Sequence, residues 1–141
     1  MSRIFWDTNL FIYLLEDYGV HSQRALALSR RMLERGDVLI TSTLTLGEVL
    51  VKPRELGDDA LAARFEELII RNTEMVPFDE RAARVYSQIR RDRTVKIADA
   101  IQLACAACAN ADLFITNDGP LSRRMAPPGI RFITLLERAP L

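Results

Sequence analysis

Four acidic side chains stand out by their surroundings. Asp7 directly follows the apolar run Ile4-Phe5-Trp6. Glu48 sits in TLTLGEVLV, Asp99 in KIADAIQLACAACA, and Asp118 closes Leu113-Phe114-Ile115-Thr116-Asn117. An ionised carboxylate beside buried apolar residues is costly unless something pairs with it. Each acid has an ordinary explanation. Asp7 and Asp118 suit turns or caps, Asp99 lies near the start of a helix whose dipole favours an anion, and Glu48 can pair with Lys52 one turn later. These explanations weaken when the four are taken together, because all are flanked by apolar residues and two end strand-like runs. Met in one crevice, four carboxylates would repel one another without cations. With no His or Cys beside them, their oxygens suit Mg²⁺ or Mn²⁺. One or two such ions can clamp a phosphodiester and activate a water for in-line attack.

The elements that must position these acids alternate along the 141 residues, which form about one domain's length, taken as a single domain over 1–141. Strand-like runs at Arg3–Trp6, Val38–Thr41, Met75–Phe78, Leu113–Thr116 and Ile130–Thr134 are separated by helical segments. The helices are expected at Asn9–Leu15, Val20–Arg35, from Ser42 or Thr43 to near Lys52-Pro53, Asp58–Arg71, Asp79–Arg91 and Lys96–Asn110. Leu61, Phe65, Leu68 and Ile69 fall on one face of the Asp58 helix, and Pro77 places the third strand at an edge. The Lys96–Asn110 segment is apolar nearly all round, so it should be central. This alternation implies an α/β fold with a parallel sheet covered on both faces. In such sheets a site forms beyond the carboxyl ends of strands, where strand order reverses. Asp7 and Asp118 end strands one and four, and they share a crevice if those strands are neighbours.

Bulk properties exclude little else. Lys plus Arg and Asp plus Glu are equal at 19 each, so net charge neither demands nor forbids a nucleic-acid partner. No apolar run reaches membrane-spanning length, and the start lacks a cleavable leader pattern, so a cytoplasmic protein is expected. Cys105 and Cys108 read as small apolar packing residues, since a zinc site would need two further ligands.

In order and spacing, FWDTN with Asp7, TLGEVLV with Glu48, IADAIQLA with Asp99 and FITND with Asp118 resemble the PIN-domain family, especially its VapC-like toxin ribonucleases. The resemblance spans nearly the whole chain. It implies a three-layer α/β/α sandwich with a five-stranded parallel sheet of order 3-2-1-4-5, which sets strands one and four side by side. It also implies metal-dependent endoribonuclease cleavage of RNA by an activated water, a homodimer, and inhibition by a cognate antitoxin. On this reading Asp7, Glu48 and Asp99 bind one or two Mg²⁺ or Mn²⁺ ions, and Asp118 completes the second position. Thr8 and Asn9 orient Asp7 or the water, and Thr116 hydrogen-bonds a neighbouring acid. Turn and cap chemistry explains those three residues equally well.

Substrate phosphates would need cations. Arg90, Arg91, Arg93 and Lys96 lead into the Asp99 helix, and Arg123 and Arg124 follow Asp118. Solvated surface charge is their default role. A haloacid-dehalogenase-type phosphatase would want a second acid where Asn9 stands, and a receiver-like domain would want paired acids that are absent here. The remaining alternative is a PIN fold that has lost metal and serves as a non-catalytic RNA- or protein-binding module. Retention of all four acids argues against it.

Overall fold

The computed structural model describes residues 1–141. In chain order the elements are β1 (Arg3–Trp6), α1 (Thr8–Leu15), α2 (Val20–Arg35), β2 (Val38–Ser42), α3 (Thr43–Glu55), α4 (Asp59–Asn72) and β3 (Glu74–Val76). These are followed by α5 (Glu80–Ile89), α6 (Ile97–Cys108), β4 (Leu113–Thr116), the single turn α7 (Gly119–Ser122) and β5 (Phe132–Leu135). The sheet has order β3-β2-β1-β4-β5, and every neighbouring pair is parallel. The expected order therefore holds, with β1 between β2 and β4.

Side-chain alternation along the central strands builds two cores. Ile4, Trp6, Leu113 and Ile115 face one side and pack with Phe11, Leu28, Met32, Val49, Phe65 and Ile69 of α1–α4. Phe5, Ile40 and Phe114 face the other and pack with Ala82 of α5 and Ala100, Leu103 and Cys105 of α6. The Phe5 and Phe114 rings stack at 5.1 Å between centroids, pinning β1 to β4 beneath the crevice. Cys105 and Cys108 are free thiols, and burial pushes Cys105 up to about 12, as befits a packing residue.

Several boundaries differ from the sequence expectation. The α3 helix runs through Pro53 to Glu55, because the buried proline lies near its end and forfeits only the hydrogen bond to the carbonyl four residues back. Strand β3 stops at Val76 because Pro77 has no N–H to continue the ladder. Leu68 does not point inward with Phe65 and Ile69 but is 47% exposed. No helix is long and apolar enough to cross a membrane.

Candidate active site

The carboxyl ends of β1, β2 and β4 lead directly into helix starts, and the crevice forms above them. Asp7 ends β1. Its N–H donates to the Ile115 carbonyl of β4 at 2.9 Å, which fixes the backbone across the two central strands. Its side chain is buried and begins α1. Asp7 Oδ1 accepts the Thr8 N–H at 2.9 Å, and Oδ2 accepts the Thr116 hydroxyl at 2.8 Å. The Gln102 amide lies 3.5 Å from Oδ1. All these donors are neutral. Burial pushes the Asp7 carboxyl above its ordinary value, against the pull of the Thr116 and Thr8 hydrogen bonds, and the nearby Asp99 charge adds to the rise.

Glu48 projects from α3. Contrary to its apolar sequence context, it is exposed at the crevice, and its Oε1 accepts the Thr8 hydroxyl at 2.6 Å. Lys52 does not pair with it but bridges to Glu16 at 3.0 Å. Asp99 lies half-buried in the first turn of α6. Burial pushes its carboxyl up, Asp118 and Glu48 push the same way, and Lys96 and Arg124 oppose them. Asp118 caps α7 by accepting the Leu121 N–H at 3.1 Å, while its own N–H donates to Thr116 Oγ1 at 3.1 Å. Asp7, Thr8, Asn9, Glu48, Asp99, Gln102 and Asp118 thus line one open cavity of about 360 Å³. All four sequence-nominated acids share it. The starts of α1 and α6 direct their positive dipole ends toward Asp7 and Asp99, which offsets part of the repulsion.

The basic candidates divide. Lys96 and Arg124 act electrostatically on Asp99. Arg124 is anchored by Asp92 and the Thr94 hydroxyl. Arg90 turns inward to the Arg93 and Val95 carbonyls, and Arg91 donates to the Gln88 carbonyl, so both act as loop braces. Arg93 is exposed, and Arg123 lies beside Gly119.

Sequence reasoning missed Gln102 and Thr45. Both are fully buried, and they hydrogen-bond each other and Thr8 behind the acids. The available signal was a lone amide in the most apolar helix, three residues after Asp99 and so on the same face.

By donor chemistry the acids suit a hard divalent cation, since they offer only oxygen and Asp7 has no cationic partner. As they stand in this structure, no group of three or more His, Cys, Asp or Glu side chains is gathered closely enough to hold a metal ion.

An open parallel sheet with an acidic crevice over its central strands is the class that this geometry defines. The PIN domain model matches residues 4–125, and the chain belongs to that family. No curated protein sequence matches the chain significantly. Among solved structures, the chain is similar to one in VapBC2 from Rickettsia felis bound to a promoter DNA fragment. That match has a TM-score of 0.73 and 14% identity over 94% of this chain and 98% of the other. DNA-bound VapBC from Salmonella typhimurium gives a TM-score of 0.70 and 23% identity over 96% and 99%. The toxin–antitoxin pair VapBC-5 from Mycobacterium tuberculosis gives 0.63 and 21% over 95% and 99%.

Proposed function

We propose that this chain is a cytoplasmic, Mg²⁺- or Mn²⁺-dependent endoribonuclease and the toxin of a toxin–antitoxin pair. The observation that carries the reading is a buried Asp7, supported only by neutral donors, in one cavity with Glu48, Asp99 and Asp118. One or two divalent ions, when bound, would supply polarisation of the scissile phosphate and a more acidic water for in-line attack. The chain's own part is to hold the oxygens. Asp7, Glu48 and Asp99 would be ligands, with Asp118 at a second position. Thr116 and the Thr8 N–H fix both Asp7 oxygens, and Asn9, exposed at the rim, faces the substrate side. Lys96 and Arg124 are the cations best placed to meet an RNA phosphate.

The toxin assignment leans on the VapBC neighbours and on an apolar groove of about 450 Å³ between α1, α2 and α4. Phe11, Leu14, Leu26, Met32, Leu33 and Leu68 line it, and Leu33 is 83% exposed. An antitoxin segment with an apolar face would cover it. Wild type but not Leu33→Asp should then co-purify with the product of an adjacent small reading frame. A homodimer belongs to the same reading, and light scattering in solution checks it.

The deciding experiment offers labelled single-stranded and structured RNA to purified protein with Mn²⁺, beside Asp7→Asn and Asp99→Asn. Cleavage by wild type alone is expected. Equal cleavage by the variants would mark a contaminant, and binding of RNA without cleavage would favour a non-catalytic module.

A further inference from the structure

Gln102 is a buried polar side chain that the nuclease reading leaves without a role. It is 1% exposed, in α6 one turn beyond Asp99. The Ser42 hydroxyl, at the end of β2, donates to Gln102 Oε1. Gln102 Nε2 lies 2.8 Å from Thr45 Oγ1, 3.1 Å from Thr8 Oγ1 and 3.5 Å from Asp7 Oδ1. The opposite amide orientation would set Oε1 against the Asp7 carboxylate, so the network itself selects this one.

The protons can then be followed. A carboxylate only accepts, so the single Thr8 hydroxyl proton goes to Glu48 Oε1 at 2.6 Å. Thr8 Oγ1 is left as an acceptor for the Thr45 hydroxyl at 3.2 Å and for the Gln102 amide. Every proton in the chain of bonds points from the buried end at Ser42 toward the carboxylates. The bond from Thr8 is the one hydrogen bond that the exposed Glu48 side chain makes.

We propose that Gln102 is a positioning residue. Clamped by Ser42 and Thr45, it donates to Thr8 Oγ1 and so fixes the hydroxyl that Glu48 accepts, holding Glu48 in the cavity it shares with Asp7 to receive a divalent cation. The proposal rests on the metal-dependent reading above. It differs from a packing role, because a residue of similar size without hydrogen bonds should fill the space and still loosen Glu48.

The test is a Mn²⁺ titration followed by electron paramagnetic resonance on wild type, Asp7→Asn, Thr8→Val, Gln102→Met and the Thr8→Val/Gln102→Met pair, with thermal unfolding of each. Gln102→Met is expected to weaken Mn²⁺ binding roughly 10–100-fold, the usual cost of removing a partner that orients a metal ligand. The double variant should bind no more weakly than Thr8→Val alone, because both changes act through one bond. A Gln102→Met protein that binds Mn²⁺ as wild type does, with only its stability reduced, overturns the positioning role and leaves the nuclease reading intact. Additive losses in the pair also overturn it. Wild type that binds no Mn²⁺ through Asp7 overturns both. Should Gln102→Met fail to fold, wild type carries the test by nuclear magnetic resonance. The Gln102 side-chain amide protons should exchange slowly and shift on Mg²⁺ addition, and no shift on Mg²⁺-bound protein overturns the role.

Discussion

The Thr116 hydroxyl donates to Asp7 Oδ2 at 2.8 Å and accepts the Asp118 N–H at 3.1 Å, so one side chain at the end of β4 serves two acids. Thr116 is fully buried and Asp7 is buried beside it, while Asp118 is half-buried at the crevice. Thr116→Val keeps the shape and removes both bonds. It should lower unfolding free energy by about 1–3 kcal/mol, the cost of stranding buried polar groups. Thr116→Ser should recover most of that. Urea unfolding measures the difference, and a Val variant as stable as wild type would show that the bonds contribute nothing.

Asp99 is held in an unfavourable place. Burial raises its pKa first, and repulsion from Asp118 and Glu48 adds to the rise, with Lys96 and Arg124 only partly compensating. Asp99→Asn keeps the size and removes the repulsion. In chelator, its melting temperature should equal or exceed that of wild type. A fall of several degrees would instead mean that the Asp99 charge caps α6 or pairs with Lys96 as a structural element.

Asp7 gives a pH signature of definite sign. Its carboxyl is raised by burial above the unfolded value, so the folded state holds the proton more tightly than the unfolded state. Metal-free stability therefore falls as pH rises through the window from the ordinary carboxylate pKa to the raised one. It stays depressed above that window. Glu74, lowered by Arg3, and Asp92, lowered by Thr94, act in the opposite sense. Both are shared by wild type and Asp7→Asn, so the difference between the two proteins reports Asp7 together with its repulsion from Asp99, which is raised in the same sense. Denaturant unfolding in chelator from pH 4 to neutrality, roughly the range over which a raised carboxylate titrates, should show the Asn variant gaining on wild type as pH rises. A difference that is flat with pH, or one of opposite sign, contradicts the raised carboxyl.

Much of this site could be read from the sequence because its acids sit where chain periodicity changes. Asp7 and Asp118 follow apolar strands directly, and parallel β1 and β4 bring them to one crevice. Boundaries were less legible where one residue tips a local balance, as at Pro53, which helix α3 absorbs, and at Pro77, which ends β3. Gln102 and Thr45 were hidden because their role depends on four elements meeting: the end of β2, the starts of α1 and α3, and the middle of α6. No period along the chain encodes that meeting. The basic residues were hardest to read, since Arg90 and Arg91 are spent on nearby carbonyls while Arg124 reaches Asp99 only through its anchor on Asp92 and Thr94.

Chelation tests the donor chemistry of the crevice. Its acids offer only oxygen, and Glu48 and Asp99 remain open enough to adjust around an ion. RNA cleavage should be lost in chelator and restored by Mg²⁺ or Mn²⁺. Ca²⁺ should restore it poorly, because it takes 6–8 oxygens at roughly 2.3–2.6 Å, whereas Mg²⁺ holds a compact octahedron at about 2.0–2.1 Å. Asp7→Asn should not be rescued by any of the three at millimolar concentration, since it removes charge from the most buried of the four acids. Cleavage that persists in excess chelator, or that Zn²⁺ alone restores, would contradict a carboxylate site for hard cations.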